Sequence, residues 1–474
     1  MFKRNKKLSS IVILAAMLVL LPIVGTSQII VRDKKPEMTI TKPRKKSSAK
    51  TSKPSSSKKS HASSSSSKKN MSAEELYEMG EECFDKEDYV ESAKWYLKAA
   101  EQGDADAQAS LAYLYYEGLG VHQDYNEVVK WSRKAAEQGN ITGQMLLGNL
   151  YFQGLGVPQD YNETVKWWRK VAEQGYAESQ YLLGLCYTNG YVQQDLSEAE
   201  KWFRKAAEQG YAEAQNALAN MYSHGVGVRQ DFSEAIKWYR KAAEQENANA
   251  QCNLGHMYEE GIGLQQDYNE AVNWYRKAAY QGDANGQIAL ANMYYNGHGV
   301  QQDYNEALKW YHKAADQGNV NGQNALGHVY SSGRGVQQDI PEAVKWFRKA
   351  AEQGEVESQY ILGLCYYQGR GVSQDYVEAA KWFRKAAEQG DADGQNNLAQ
   401  MYYAGLGVQQ DFVEAINWLR KAADQGNEVA QCNLGYMYEQ GLGVSKDISM
   451  ARYWYQKAAE LGSENAIEAL KRLN

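Results

Sequence analysis

Residues 283–318 read DANGQIALANMYYNGHGVQQDYNEALKWYHKAADQG. Two helical patterns lie on either side of a turn. From Asp283 to Asn296, Gly286, Leu290, Ala291 and Tyr294 recur at helical spacing. Gly297 and Gly299 follow and supply the positive φ of a helix stop. Asp303 then opens a second helix, with Glu306 three residues on, a pairing of the capping-box kind. Ala307, Trp310, Tyr311, Ala314 and Ala315 fall at i, i+3, i+4, i+7 and i+8 and form one apolar stripe. Gly318 ends it. The stretch predicts two antiparallel helices.

The pattern recurs along the chain. Trp stands at 95, 131, 167, 202, 238, 274, 310, 346, 382, 418 and 454, at intervals of 36 residues with one of 35. A fixed period in this range marks stacked units, none of which can bury its apolar face alone. Ten full units run 104–139, 140–175, 176–210, 211–246, 247–282, 283–318, 319–354, 355–390, 391–426 and 427–462. A shorter unit, 72–103, precedes them, and 463–474 follows. One slot is Leu in all ten, from Leu111 to Leu434, and four positions later the residue is always Tyr, from Tyr115 to Tyr438. Four positions before the Leu stands Ala, Gly or Ser, as at Ala107, Gly143 and Ser179. Small residues there let helices approach towards the lower end of the ~8–10 Å spacing. These slots read as core. The expected fold is all-α, an α/α superhelical solenoid of about 11 antiparallel helix pairs closed by a C-terminal capping helix.

The run Gly-x-Gly-Val-x-Gln-Asp, then Glu-Ala and Trp, then Lys-Ala-Ala-x-x-Gly is clearest at Gly405–Asp411, Glu414–Ala415, Trp418 and Lys421–Gly426. It resembles the Sel-one-like repeat (SLR) family, a subclass of tetratricopeptide-like α/α solenoids, and the resemblance covers 104–462. The 72–103 unit departs from it. Phe84 to Tyr89 make a short turn without the Gly-x-Gly, which looks more like an ordinary tetratricopeptide hairpin. At the other end Leu470 keeps the Leu slot while Ile467 stands in an otherwise constant Gln slot, so 463–474 reads as the closing cap. The resemblance implies a non-catalytic scaffold or adaptor in the cell envelope or secreted, binding protein partners on the concave surface. A cysteine-rich branch of the family is linked to penicillin binding and lactam hydrolysis, with paired Cys in each repeat. No unit here holds two. A cell-wall-associated hydrolase or lactam-binding protein is therefore the alternative from another class, and a polysaccharide-associated envelope scaffold is a third.

A second order of repetition lies above the first. Cys186 and Cys365 share one slot and Cys252 and Cys432 another, and the surrounding residues agree. Residues 104–282 and 283–462 read as copies of a five-repeat block, the one missing residue falling at Gly190-Tyr191-Val192. Cysteines two units apart lie roughly 20 Å from one another, beyond the ~7 Å reach of a disulfide. They read as small buried apolar residues.

Charge divides the chain. The formal net of −6 conceals 17 Lys/Arg and 2 acids in residues 1–71 (+15) against 35 and 56 in residues 72–474 (−21). Lys3, Arg4, Lys6 and Lys7 precede an apolar run from Ile11 to Ile23, the layout of a signal peptide. Cleavage after Ser27 and an uncleaved anchor extended through Ile29–Val31 both remain open, and either takes the body out of the cytoplasm to the periplasm, envelope or medium. No other apolar run approaches spanning length. Residues 28–71, rich in Lys, Ser and Pro, are expected to be disordered. They serve as a spacer or attach electrostatically to an anionic envelope surface. The acidic body disfavours nucleic acid and favours a basic or neutral protein or peptide.

Little in the body reads as chemistry. The His residues are scattered, without a metal-ligand motif. The Gly-x-Gly loops follow helices and lack the Lys-Ser/Thr of a phosphate loop, and no G-x-S-x-G elbow occurs. No cofactor, metal or catalytic residue is expected. Two variable slots remain, one two residues before the Leu and one just after the Tyr. Their aromatics Tyr181, Tyr295, Tyr360, Tyr367 and Tyr403 are the candidate partner-binding residues. Packing between units is the other reading of these slots.

Overall fold

The structure, a computed structural model, describes residues 71–473. The export segment and most of the Lys-rich linker lie outside the described residues. The chain divides into two compact units, Met1–Lys241 and Ala242–Asn474. Among the described residues there are 23 helices and no strand.

In the second unit, the pair Ala284–Asn296 and Tyr304–Asp316 shows why the sequence folds as it does. Asp283 caps the first helix, accepting from the Gly286 amide at 2.6 Å. Gly297 ends it at φ 74°, its amide donating to the Met293 carbonyl at 2.9 Å. Asp303 caps the second helix through the amides of Asn305 and Glu306. The helices run antiparallel, with Asp303 N–H on the Tyr294 carbonyl at 2.9 Å and Tyr311 Oη on Asn292 Oδ1 at 2.6 Å. The second helix buries the expected stripe of Ala307, Trp310, Tyr311, Ala314 and Ala315.

Two readings of this stretch need correction. Glu306 does not complete a capping box. The Asp303 amide is already held by Tyr294, and the Glu306 carboxylate turns forward to Lys309. The reciprocal box is formed at Ser72 and Glu75. Nor is Gly299 part of the helix stop. It has φ 66°, and a Cβ on it would lie 2.2 Å from the Tyr268 carbonyl oxygen of the preceding pair. The first Gly of the motif ends a helix. The second lets one repeat dock on another.

The Gln slot explains the rest of the register. Gln287 is 4% exposed, and its Nε2 donates to the Ala279 carbonyl of the preceding pair at 3.3 Å. Its Oε1 accepts from Gln317, at the end of its own repeat's second helix, at 2.9 Å. The ladder recurs as Gln281 on Gln251, Gln353 on Gln323, Gln389 on Gln359 and Gln425 on Gln395. Each of these buried amides is thereby satisfied once by the preceding repeat and once within its own, as buried polar groups require. The Tyr after the Leu slot also reaches back. Arg420 donates to Tyr438 Oη at 2.7 Å across repeats. The small slot packs as expected, since a Cβ on Gly286 would lie 2.6 Å from Ala278 Cβ. Helix Glu464–Leu473 follows the last pair, and its Arg472 meets buried Glu439 at 2.8 Å.

The first unit uses the same parts. Gln144 donates to the Ala136 carbonyl at 3.2 Å, Gln138 to Gln108 at 2.9 Å, and Arg133 to Tyr151 at 2.8 Å. Two places differ. In the first pair, Ala73–Asp85 and Tyr89–Glu101, the turn is only Lys86-Glu87-Asp88, with Glu87 at φ 63°. At 190–192, where the docking Gly is missing, the Tyr191 ring packs on Tyr161 at 4.9 Å and Phe152 at 5.2 Å.

Candidate binding surface

The framework uses the Leu, Tyr, Gln, Asp and Gly slots, so a surface for other molecules must come from what remains. Four of the five candidate tyrosines, Tyr181, Tyr295, Tyr360 and Tyr367, are half-buried, and Tyr403 is 37% exposed. Their rings are engaged inside the array. Tyr295 lies edge-on to Tyr304 at 5.1 Å, Tyr367 to Tyr376 at 5.4 Å, and Tyr360 lies 5.9 Å from Phe383. Tyr181 lies 5.5 Å from Tyr211. Tyr403 packs on Phe412 at 5.6 Å and on Tyr436 of the next repeat at 6.5 Å. Hydrogen bonding to Tyr436 pushes the Tyr403 phenol above its ordinary range.

In three repeats the slot after the Tyr is matched to the residue facing it across its own hairpin. Where the second helix offers Tyr275 or Tyr455, the slot holds Glu259 or Glu439, accepting from the phenol at 2.6 and 2.8 Å. Where it offers Phe383, the slot holds Tyr367.

One cluster was missed in the sequence. His256, Glu259 and Glu260 bring one ligand atom each within 4.8 Å on helix Ala248–Glu260. The signal was the i, i+3, i+4 spacing, which a search for H-x-x-x-H passes over. Glu259 is already the acceptor for Tyr275. All five cysteines are free thiols, and burial pushes Cys186 up to about 12 and raises Cys252, Cys365 and Cys432 as well.

Capped hairpins, glutamine ladders and repeat-on-repeat glycines define an α/α repeat protein of the tetratricopeptide-like kind. The Sel1 repeat family model matches eleven consecutive segments: 69–104, 105–140, 141–176, 177–211, 212–247, 248–283, 284–319, 320–355, 356–391, 392–427 and 429–463. The chain belongs to the Sel1 repeat family. The match includes 69–104, so the first pair is a repeat of the series despite its shortened turn. Among solved structures, the chain is similar to c5321, a protective antigen present in uropathogenic Escherichia coli strains that displays an SLR fold. Identity is 36% over 80% of this chain and 90% of that chain, with a TM-score of 0.53. It is also similar to a Sel1 repeat protein from Oxalobacter formigenes, with 37% identity over 65% and 90% and a TM-score of 0.54. No curated protein matches the chain. Sel1 repeat proteins are generally protein-interaction scaffolds, and the fold is typically non-enzymatic.

Proposed function

We propose that the chain is a non-catalytic adaptor, holding a basic or neutral protein or peptide on the face carried by the first helices of its repeats. One observation carries the reading. In residues 242–473 these first helices, from Ala248–Glu260 to Glu428–Gln440, hold Glu259, Glu260, Glu357, Asp393 and Glu428, besides the buried Glu439 that pairs with Arg472, and no Lys or Arg. On this acidic background Tyr403 and Tyr436 form an aromatic pair, at 37% and 41% exposure. Exposed aromatic anchors in a polar surround suit partner capture.

Affinity capture on the full chain, followed by mass spectrometry, tests this. A specific partner is expected, held about tenfold or more weakly by Tyr403→Ala with Tyr436→Ala. Unchanged retention removes the pair from the site, and no enriched protein sinks the adaptor reading. Tyr295 and Tyr367 are poorer probes, because their packed rings also support the fold. The place of work follows from the charged n-region and the Ile11–Ile23 run, which support export to the envelope or medium. Fractionation of cells with and without residues 1–27 checks this, since the truncated chain should stay in the cytoplasm. Among the described residues no helix is long and apolar enough to cross a membrane.

A further inference from the structure

The repeats are their own controls on the second helices. In most of them a Glu in the first turn pairs with a Lys three residues on, and in three of them that Lys also lies beside the ring of the next residue, Trp. Lys130 Nζ is 2.8 Å from Glu127 and 4.9 Å from the Trp131 ring centre. Lys166 stands 2.6 Å from Glu163 and 5.5 Å from Trp167, and Lys237 3.0 Å from Glu234 and 5.7 Å from Trp238. The carboxylate can touch the indole as well, since Glu127 accepts from Trp131 Nε1 at 2.8 Å. A carboxylate and an indole thus make a seat that an ammonium occupies.

In helix Tyr268–Tyr280 the seat has no such tenant. Asn273 stands in the Lys position and is too short to reach, and Glu270 makes no side-chain ion pair or hydrogen bond among the described residues. Trp274 is half-buried, whereas Trp131, Trp167, Trp238 and Trp310 are buried. At the end of the helix Tyr280 replaces the usual acid. It is 71% exposed and lies edge-on to Trp310 at 5.3 Å, adding an aromatic wall. Glu270, Asn273, Trp274, Arg276, Lys277 and Tyr280 line a shallow, open hollow of about 440 Å³.

We propose that Glu270, Trp274 and Tyr280 form a site for a lysine side chain of a protein partner, which takes the place that Lys130, Lys166 and Lys237 hold in their repeats. Two cations line the hollow, but they do not bar a third. Lys277 sits 3.8 Å from the Trp274 ring. Its counterparts Lys134, Lys170 and Lys241 sit 4.5, 4.1 and 4.0 Å from their rings while Lys130, Lys166 and Lys237 keep their seats. Repeat 391–426 supplies the contrast. Asn417 also leaves Glu414 without a Lys, but Asp424 stands where Tyr280 does and Trp418 is only 8% exposed. No site is expected there.

The site rests on the adaptor reading for its biological use, yet it can be tested without the partner. The full chain, labelled with ¹⁵N at its indole nitrogens, is titrated with Ac-Gly-Lys-Gly-NH₂, and the Trp274 resonance is assigned with Trp274→Phe. A saturable shift is expected, with Kd on the order of millimolar, as a single exposed ion pair and cation–π contact allow. The Nε-acetylated peptide should leave the resonance in place. Asn273→Lys, which restores the Lys of the other repeats, should weaken binding about tenfold or more, and Glu270→Gln about threefold. An equal shift with the acetylated peptide, or full binding by Asn273→Lys, overturns the site. So does the absence of any shift, and that result leaves the adaptor reading, which stands on partner capture, untouched.

Discussion

Replacing Gly363 by Ala tests the packing account at one atom. Gly363 lies inside helix Val356–Gln368, and a Cβ there would sit 2.6 and 2.7 Å from two ring carbons of Phe383. Phe383 is 1% exposed, so its ring can yield only by displacing its neighbours in the core. Two effects oppose. Ala in a helix interior is favoured over Gly by ~1 kcal/mol, and overpacking a closed core costs ~1–3 kcal/mol. The steric term should win, for a net loss of about 1–2 kcal/mol. The chain already contains the repaired pair, since the 391–426 unit places Ala399 and Leu419 in these two slots. Phe383→Leu alone should cost about 1 kcal/mol for the lost ring volume. Gly363→Ala with Phe383→Leu should then recover most of the loss, a coupling of ~1–3 kcal/mol. Repeat arrays need not unfold in one step. Urea unfolding by tryptophan fluorescence should therefore be paired with hydrogen exchange in Val356–Gln368 and Tyr376–Glu388. A Gly363→Ala chain that gains ~1 kcal/mol, or a double variant that is merely additive, refutes the reasoning.

Two further outcomes follow from the same geometry. Leu461 takes the place of the ladder Gln in the last repeat, so Gln431 Oε1 is buried with no partner, whereas Gln395 Oε1 accepts from Gln425 at 2.9 Å. Leu461→Gln should stabilise the C-terminal pair by about 1 kcal/mol, read as slower hydrogen exchange in Glu428–Gln440. An effect no larger than that of Leu461→Ala would show that the ladder bond does not matter. Burial holds the Cys186 thiol at about 12, so it keeps its proton through the neutral range and becomes a thiolate only in strong base. At pH 8 iodoacetamide should therefore spare Cys186 until urea unfolds the chain, and labelling of the folded chain at a peptide-like rate would contradict the assigned burial.

Much of the fold was legible because each structural demand was posed ten times in one chain. The Leu, Tyr and small slots, the Trp stripe and the Asp caps are local or one repeat away, and helical periodicity reports such contacts directly. The less legible parts depend on a neighbour's backbone. Nothing in Gln287 itself announces that it bonds a carbonyl eight residues back and a Gln thirty residues on. Gly299 looks like a helix stop until the Tyr268 carbonyl is placed beneath it. Glu306 turns forward because a carbonyl in the last turn of the preceding helix has already taken the amide it would have capped. The candidate tyrosines came from variability alone, and variability does not say which way a ring points.

Variation among the repeats is of two kinds. When Glu259 stands where another repeat has Tyr367, the change is answered across the hairpin by Tyr275 in place of Phe383. Such paired changes preserve an internal fit and need no outside partner to explain them. A change without a matching change inside the chain is different. Asn273 leaves a carboxylate without its cation, and Tyr280 puts a large ring into solvent at 71% exposure. Each forgoes a favourable contact or a hydrated charge that most of the other repeats keep, and no internal contact makes up for Glu270. In a chain built by copying, departures of this second kind are where binding to another molecule should be sought first. Tyr403 with Tyr436 lies between the two kinds, packed on one side and open on the other.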